Sequence, residues 1–298
     1  MPTTLSQLVD EVQLNLQGFV GKQDRATHLT ATLTSSETSM TVSSTENIGK
    51  GIIEIDDELI WVDAYERPTG IVTASPYGRG YNSSDSASHE IGAKVTISPT
   101  FPRVSIKRAI NDTINSVYPM VFATGSTTLE YISARNTYQL PDSTISVMSL
   151  RWQTVGPTKE WLPIRRFESD LMANTTAFTS GKSVTILDAI TPGQSIQVFY
   201  SKLPTELSSN SDTLETTAGL PASMRDVIIY GAAYRLISFL DPAKLAASSA
   251  EADEIDSKRP YGFGQNVTRQ LFSLYQQRLQ EESLKQKQQY PVRVHYTR

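Results

Sequence analysis

Ile52-Ile53-Glu54-Ile55-Asp56-Asp57-Glu58-Leu59-Ile60-Trp61-Val62 decides how this chain is read. β-Branched and aromatic residues run on both sides of a two-residue acidic centre, the pattern of two strands joined by a tight turn. Asp-Asp is a weaker turn signal than Asn-Gly, but the flanking runs predict a hairpin. Outward from it, His28 to Ser98 is rich in Thr, Ser, Val and Ile. It contains the alternating runs Leu29-Thr30-Ala31-Thr32-Leu33 and Met40-Thr41-Val42. This texture predicts a separate small β domain.

The segments on either side change period. Residues 4 to 20 place Leu5, Leu8, Val9, Val12, Leu16 and Phe19 at three- and four-residue spacing, with Thr4 and Gln7 set as a capping box. After Ser98-Pro99, Ile106, Ile110, Ile114, Val117 and Val121 share one helical face, and Pro119 should end or kink that helix. The β domain is therefore expected as an insertion between two helices.

Strand texture returns from Thr124 to about Leu207. Its pieces are Leu129-Glu130-Tyr131-Ile132, Thr144-Ile145-Ser146-Val147-Met148, Ser183-Val184-Thr185-Ile186-Leu187 and Ser195-Ile196-Gln197-Val198-Phe199-Tyr200. Turn chemistry at Pro141-Asp142, Ser180-Gly181 and Pro192-Gly193 separates them, which predicts a sandwich. A helix follows Pro221, with Met224, Val227, Ile228, Tyr234, Ile237 and Leu240 as its stripe, until Asp241-Pro242 interrupts it. A last helix starts near Asn266 with Val267, Leu271, Leu274, Tyr275 and Leu279 inward, and Glu281 and Lys285 available as a supporting pair. The tail after Gln289 cannot continue it. The expected class is α+β: a helical bundle from 1–27, 99–123 and 214–284, a small β-barrel-like module inserted at 28–98, a β-sandwich inserted at 124–213, and an extended C-terminal tail at 285–298.

The composition closes several branches of chemistry. With 298 residues the chain can bury roughly three quarters of its unfolded surface and fold without metals or disulfides. It has no cysteine, which removes disulfides, thiolate metal sites and cysteine nucleophiles. The amino terminus lacks a signal-peptide pattern and no run reaches about 18 consecutive apolar residues, so no membrane association is expected. A net charge of −4 argues against a general nucleic-acid binder, whose phosphate contacts need a basic excess.

His28, His89 and His295 carry no metal-ligand or triad spacing, and read as surface or locally bonded residues. Gly78-Arg79-Gly80 reads as a turn rather than a phosphate loop. Glu54, Asp56, Asp57 and Glu58 are the best candidates for a cation site, but alternation along a strand sends neighbours to opposite faces, so a solvated hairpin tip is expected. Trp152, Trp161 and Tyr200 could form a sugar platform, though core or interface packing is the commoner use of such aromatics. No serine is accompanied by a positioned base, so no catalytic site, metal or cofactor is expected.

Ile53 to Val62 around the acidic turn, then Tyr77-Gly78-Arg79-Gly80, His89, Gly92 and Val95, resemble a small β module of tailed-bacteriophage virion proteins. Such modules often have Gly-Thr where this chain has Asn82-Ser83-Ser84. The helix-β-helix-β-helix-helix order with a free tail is similar to a phage head-to-tail connector, or adaptor. That resemblance implies a ring of identical subunits, commonly twelve, placed in the virion neck after assembly in the host cytoplasm. The ring would sit below the portal protein, lengthen the DNA channel without binding DNA specifically, and attach the next tail or neck protein.

Adaptors of this kind often dock on the portal through a carboxy-terminal segment. Leu284 to Arg298 fits, with Lys285, Lys287, Tyr290, Arg293, Val294, His295, Tyr296 and Arg298 as docking residues and no acid. Glu251, Asp253, Glu254 and Asp256, a solvated acidic run on the simpler reading, are candidates to line the channel. The alternatives are a virion receptor- or glycan-binding protein using the β modules, and a virion hydrolase using two carboxylates.

Overall fold

The computed structural model describes residues 3–19, 24–238 and 263–290. The acidic turn is a hairpin as read: Ile55 and Glu58 pair across Asp56-Asp57, and Asp56 takes a φ of 51°. It belongs to an antiparallel sheet of β1 (Arg25–His28), β2 (Ser39–Thr41), β3 (Gly51–Ile55), β4 (Glu58–Glu66), β5 (Ile71–Ala74) and β6 (Lys94–Ile97), in the order β1-β6-β3-β4-β5-β2. The outermost strands meet through a Leu29–Val42 bridge, with Thr30 N donating to Thr41 O and Ser43 N to His28 O. The sheet therefore closes on itself, which removes the exposed edges that a flat sheet would leave.

Alternate residues of these strands point inward. Ile53, Ile55, Ile60, Val62, Val72, Val95 and Ile97 form one cluster with Leu29, Leu33, Met40 and Val42. Leu29 to Leu33, expected as a strand, makes only single bridges at its two ends, Leu29 with Val42 and Leu33 with His89. The chain enters and leaves on paired strands, Arg25 opposite Ile97. Just outside that pair, the Asp24 carboxylate accepts from Thr100 N (3.2 Å) and Thr100 Oγ1 (2.8 Å).

Seven further strands lie between 123 and 202: β7 (Ala123–Glu130), β8 (Thr137–Gln139), β9 (Ser146–Gln153), β10 (Trp161–Ile164), β11 (Phe167–Asp170), β12 (Ser183–Ile186) and β13 (Ser195–Lys202). They form a four-stranded sheet, β10-β9-β13-β7, and a three-stranded one, β11-β12-β8. Tyr138, Leu150, Val184, Ile186, Ile196 and Val198, drawn from both sheets, share one hydrophobic cluster. Trp152 packs against that cluster, whereas Trp161 on the neighbouring strand lies opposite Gln153 and points to the other face. Tyr200 is buried, so Trp152, Trp161 and Tyr200 do not form a common platform.

The helices are α1 (Leu5–Gln17), α2 (Arg103–Ser116), α3 (Arg225–Ile237) and α4 (Phe263–Gln289). Their apolar stripes are buried as the spacing requires: Leu5, Leu8, Val9, Val12 and Leu16 in α1, and Ile106, Ile110 and Ile114 in α2. The expected architecture is nevertheless corrected. Among the described residues thirteen strands in three sheets stand against four α-helices, three of them of 13 or 14 residues, so the chain is mostly β. It is not a helical bundle with β insertions. The physical reason is that each β stretch is long enough to bury a hydrophobic cluster of its own, whereas the sequence reading gave the organising role to the helical stripes.

The chain divides into two compact units. The first takes Ser6–Asp112, with β1–β6, and the adjoining parts of α3 and α4. The second takes Thr113–Val227, with β7–β13, and α4 from Tyr275 onward. No helix among the described residues is long and apolar enough to cross a membrane.

Candidate functional site

In the first unit the hairpin turn is not a solvated tip. Alternation does send its carboxylates to different faces, but two of them are buried, Glu54 and Glu58 being 3% and 1% exposed. Glu58 shares the inward face of β4 with Ile60 and Val62, and its two oxygens accept from five donors. These are Arg79 Nε (2.7 Å) and Nη2 (2.9 Å), Gly80 N (2.9 Å), Ala87 N (3.1 Å) and His89 Nε2 (2.8 Å). Burial alone would raise the Glu58 carboxyl, but these bonds outweigh it and hold it down at about 2.

Arg79 also ties three loops to the hairpin. Its guanidinium donates to the carbonyls of Thr34 (2.8 Å), Glu37 and Ala87 (2.6 Å). His89, 3% exposed, bridges Glu58 and Asp56, both at 2.8 Å. The bond to Glu58 raises its pKa most; burial opposes this and Asp56 adds to it. Of the three histidines read as surface or locally bonded, this one is buried between two carboxylates. Among the described residues no group of three or more His, Cys, Asp or Glu side chains is arranged to hold a metal ion. The guanidinium takes the charge-neutralising place beside Glu58.

On the outward side, Glu54 accepts from the backbone N of Arg103 (2.5 Å), at the first residue of α2. Burial pushes its carboxyl up to about 7, against the opposing pull of that bond and of the Arg103 charge. Asp57 pairs with Arg103 Nε and Lys107 Nζ, both at 3.0 Å, and Arg103 reaches Asp10 at 2.6 Å. The four carboxylates thus fasten the hairpin to two sets of partners, one inside the barrel mouth and one on α2.

The Tyr77-Gly78-Arg79-Gly80 run needs both glycines. A Cβ on Gly78 would lie 2.5 Å from Trp61 O and 2.9 Å from Ser75 N, and Gly80 has a φ of 61°. Gly78→Ala is expected to cost about 1–3 kcal/mol because backbone, not a yielding side chain, stands in the way. The check is exchange of the Trp61 amide, which donates to Gly78 O; an unchanged rate would show that the loop yields freely.

In the second unit the structure bears on the proposed docking residues. Lys285 pairs with Glu282 at 2.5 Å, not with Glu281, whose partner is Arg278 at 2.6 Å. Glu282 is buried and also accepts from Ser223 Oγ; burial would raise its carboxyl, but the bonds from Lys285 and Ser223 lower it. The Gln286 carboxamide accepts from Phe122 N (3.0 Å) and donates to Phe122 O (2.6 Å). The Tyr290 ring lies against that of Phe122, with centroids 6.3 Å apart. Lys287 is in the last turn of α4. Arg293, Val294, His295, Tyr296 and Arg298 lie outside the described residues, as do Glu251, Asp253, Glu254 and Asp256.

The family model of the SU10 adaptor protein matches residues 84–294. The chain belongs to the SU10 adaptor protein family. The match begins at Ser84, whose Oγ accepts from Leu59 N, and it spans His89, α2, β7–β13, α3 and α4. No curated protein matches the chain. Membership makes this a structural adaptor of the bacteriophage neck, not a member of an enzyme class. For such an adaptor the ionic network is a fastening, one that holds loops 34–37 and 79–89 rigidly on the β3–β4 hairpin.

Proposed function

We propose that this adaptor assembles as a ring, a dodecamer on the resemblance, beneath the phage portal, where it lengthens the DNA channel and offers its far side to the next tail component. The observation that carries this reading is membership of a phage adaptor family over a stretch running through α4 to residue 294. A ring needs two different complementary surfaces on each subunit, because its contacts are head-to-tail. In this reading the segment from Lys285 to Arg298 docks on the portal. Lys285 and Tyr290 fix its base, and Lys287, Arg293, His295 and Arg298 supply charge for an acidic partner surface. Val294 and Tyr296 supply the apolar contact. Glu251, Asp253, Glu254 and Asp256 line the channel, where negative charge lets DNA slide.

The fixed base sets the design of the test. A chain ending at Tyr290 keeps the Glu282–Lys285 pair and the Gln286–Phe122 bonds, whereas one ending at Glu282 would remove both and confound docking with folding. Full-length protein is expected to bind assembled portal and form rings visible by negative-stain electron microscopy. The chain ending at Tyr290 is expected to lose portal binding while amide exchange in β9 and β13 stays as it was. Equal portal binding by both chains would overturn the docking role; failure of the full-length chain to bind would overturn the adaptor ring itself.

A further inference from the structure

Along one side of β7 the backbone groups have no partner among the described residues. β7 is an outer strand of its sheet and pairs only with β13, in unbroken register from Ala123↔Lys202 to Glu130↔Ser195. In an antiparallel pair, alternate residues direct both N–H and C=O toward the partner strand and the others direct both away. Tyr131, just past β7, shows which set is which: its N donates to Gln194 O and its O accepts from Gly193 N, on the β13 side. Odd-numbered residues therefore face β13 and even-numbered ones face away. Two even positions flanking β7 are occupied. The Gln286 carboxamide accepts from Phe122 N and donates to Phe122 O. At the other end Ile132 N donates to Tyr138 Oη (2.8 Å) and Ile132 O accepts from Arg135 N (2.9 Å). Between these two stops Thr124, Ser126, Thr128 and Glu130 hold their amides and carbonyls toward an open edge.

The other outer strands are blunted. On β10, Glu160 O accepts from Thr154 N, so even-numbered residues face β9, and Trp161 and Pro163 face away. Pro163 has no N–H to offer a further strand. In the three-stranded sheet the outer strands β11 and β8 have only four and three residues. β7 has eight, with no proline, lysine or bulge, the devices that normally keep an edge from pairing. It is the edge built to take a strand.

We propose that this edge takes β7 of a second copy, antiparallel about a two-fold axis, with Thr124 opposite the second copy's Glu130 and Ser126 opposite its Thr128. The stops at Phe122 and Ile132 favour this register, because it alone uses every open group, each opposed pair exchanging both of its bonds. The side chains agree on both faces. On the exposed face the Thr124 hydroxyl meets the Glu130 carboxylate and Ser126 meets Thr128, so hydrogen-bonding groups are opposed and no like charges meet. On the other face Leu129, which packs against the core cluster, comes opposite Gly125 of the second copy. There the Tyr200 ring lies where a Gly125 Cβ would be, 2.6 Å away, and gives the leucine an apolar neighbour. The joined sheet ends at both sides on β10, where Pro163 refuses a further strand, so the pairing closes at two copies rather than running on as a fibre. Such a contact is isologous, whereas a ring needs head-to-tail contacts, so the dimer is the form taken before assembly and must part for a ring to close. That last consequence rests on the ring reading above; the pairing itself does not.

Sedimentation of the full-length protein over a range of concentration, with hydrogen exchange on the same samples, tests this. A single chain is expected on dilution and a dimer as concentration rises. The Ser126 and Thr128 amides should gain protection with the dimer, while Gly125 and Thr127 stay slow throughout. Charge at exposed Thr124 reads the register. Thr124→Lys sets an ammonium opposite Glu130 and should tighten the dimer, whereas Thr124→Glu sets two carboxylates together and should loosen it, each on the order of ten-fold because the contact occurs twice. A chain that stays single at every concentration would overturn the pairing. So would a dimer indifferent to both substitutions, or one whose Ser126 and Thr128 amides exchange as fast as in the single chain, since its contact lies elsewhere. Portal binding is scored separately: failure to bind defeats the ring reading and leaves the pairing standing.

Discussion

Arg79→Met is expected to lower the stability of the first unit by about 3–5 kcal/mol, the usual result of leaving a buried carboxylate without its cation. Glu58 would lose two of five donors and keep a full charge at the barrel mouth, while the carbonyls of Thr34, Glu37 and Ala87 would lose the guanidinium that gathers them. Global exchange of the slowest amides in β3 and β4 measures the loss without requiring the two units to unfold together. The double variant Glu58→Gln/Arg79→Met separates charge from packing. Removing the charge along with its partner should recover part of the loss, because a neutral amide costs less to bury than an ion. If Arg79→Met alone moves those amides by less than about 1 kcal/mol, the scale of an exposed pair, the network is not a fastening.

The second large effect is an acid-shifted stability optimum. Glu58 is held at about 2, below the ordinary carboxyl value of 4.5, so its contribution is complete above 4.5 and is lost as pH falls toward 2. Glu54 is raised to about 7, so the folded state holds a proton that the unfolded state releases, and stability falls as pH rises from 4.5 through 7. His89 is raised as well, so its contribution is full below 6.5 and is lost as pH climbs through its folded value. All three signs place the maximum for the first unit near pH 4.5, above the loss through Glu58 and below the losses through Glu54 and His89. Glu54→Gln keeps an oxygen for Arg103 N and has nothing to ionise. It should match the parent at about pH 4 and exceed it by about 3 kcal/mol at pH 8, which is the raised interval from 4.5 to about 7 at about 1.36 kcal/mol per unit. Parallel profiles for parent and variant would show that Glu54 does not carry the alkaline loss.

How far the sequence could be read depended on the range of each interaction. The β3–β4 hairpin was legible because its information is local: β-branched residues on both sides of a two-residue turn. The helix stripes were legible for the same reason. The balance between helix and sheet was not, since periodicity finds an element without saying which one organises the core. The network escaped because Arg79 and His89 stand 21 and 31 residues from Glu58, and no spacing rule joins them. Its one available signal was chemical: four clustered acids call for cations, and Arg79 lies in the same small module. At the carboxy terminus the local pairing rule found an ionic helix face but chose Glu281 for Lys285, where the i,i+3 neighbour Glu282 is the partner because Ser223 holds it in place.

The barrel's connections also fix how it answers tension. Because the chain enters on β1 and leaves on β6, and these two strands are antiparallel neighbours, a pull on the segments before Arg25 and after Ile97 draws them apart from one end. Their bonds are then loaded one pair after another, as in a zipper, rather than all at once as in shear. The Asp24–Thr100 contacts bear the load first, and once they part the strands peel with little mechanical resistance. The chain released at that point is a slack loop.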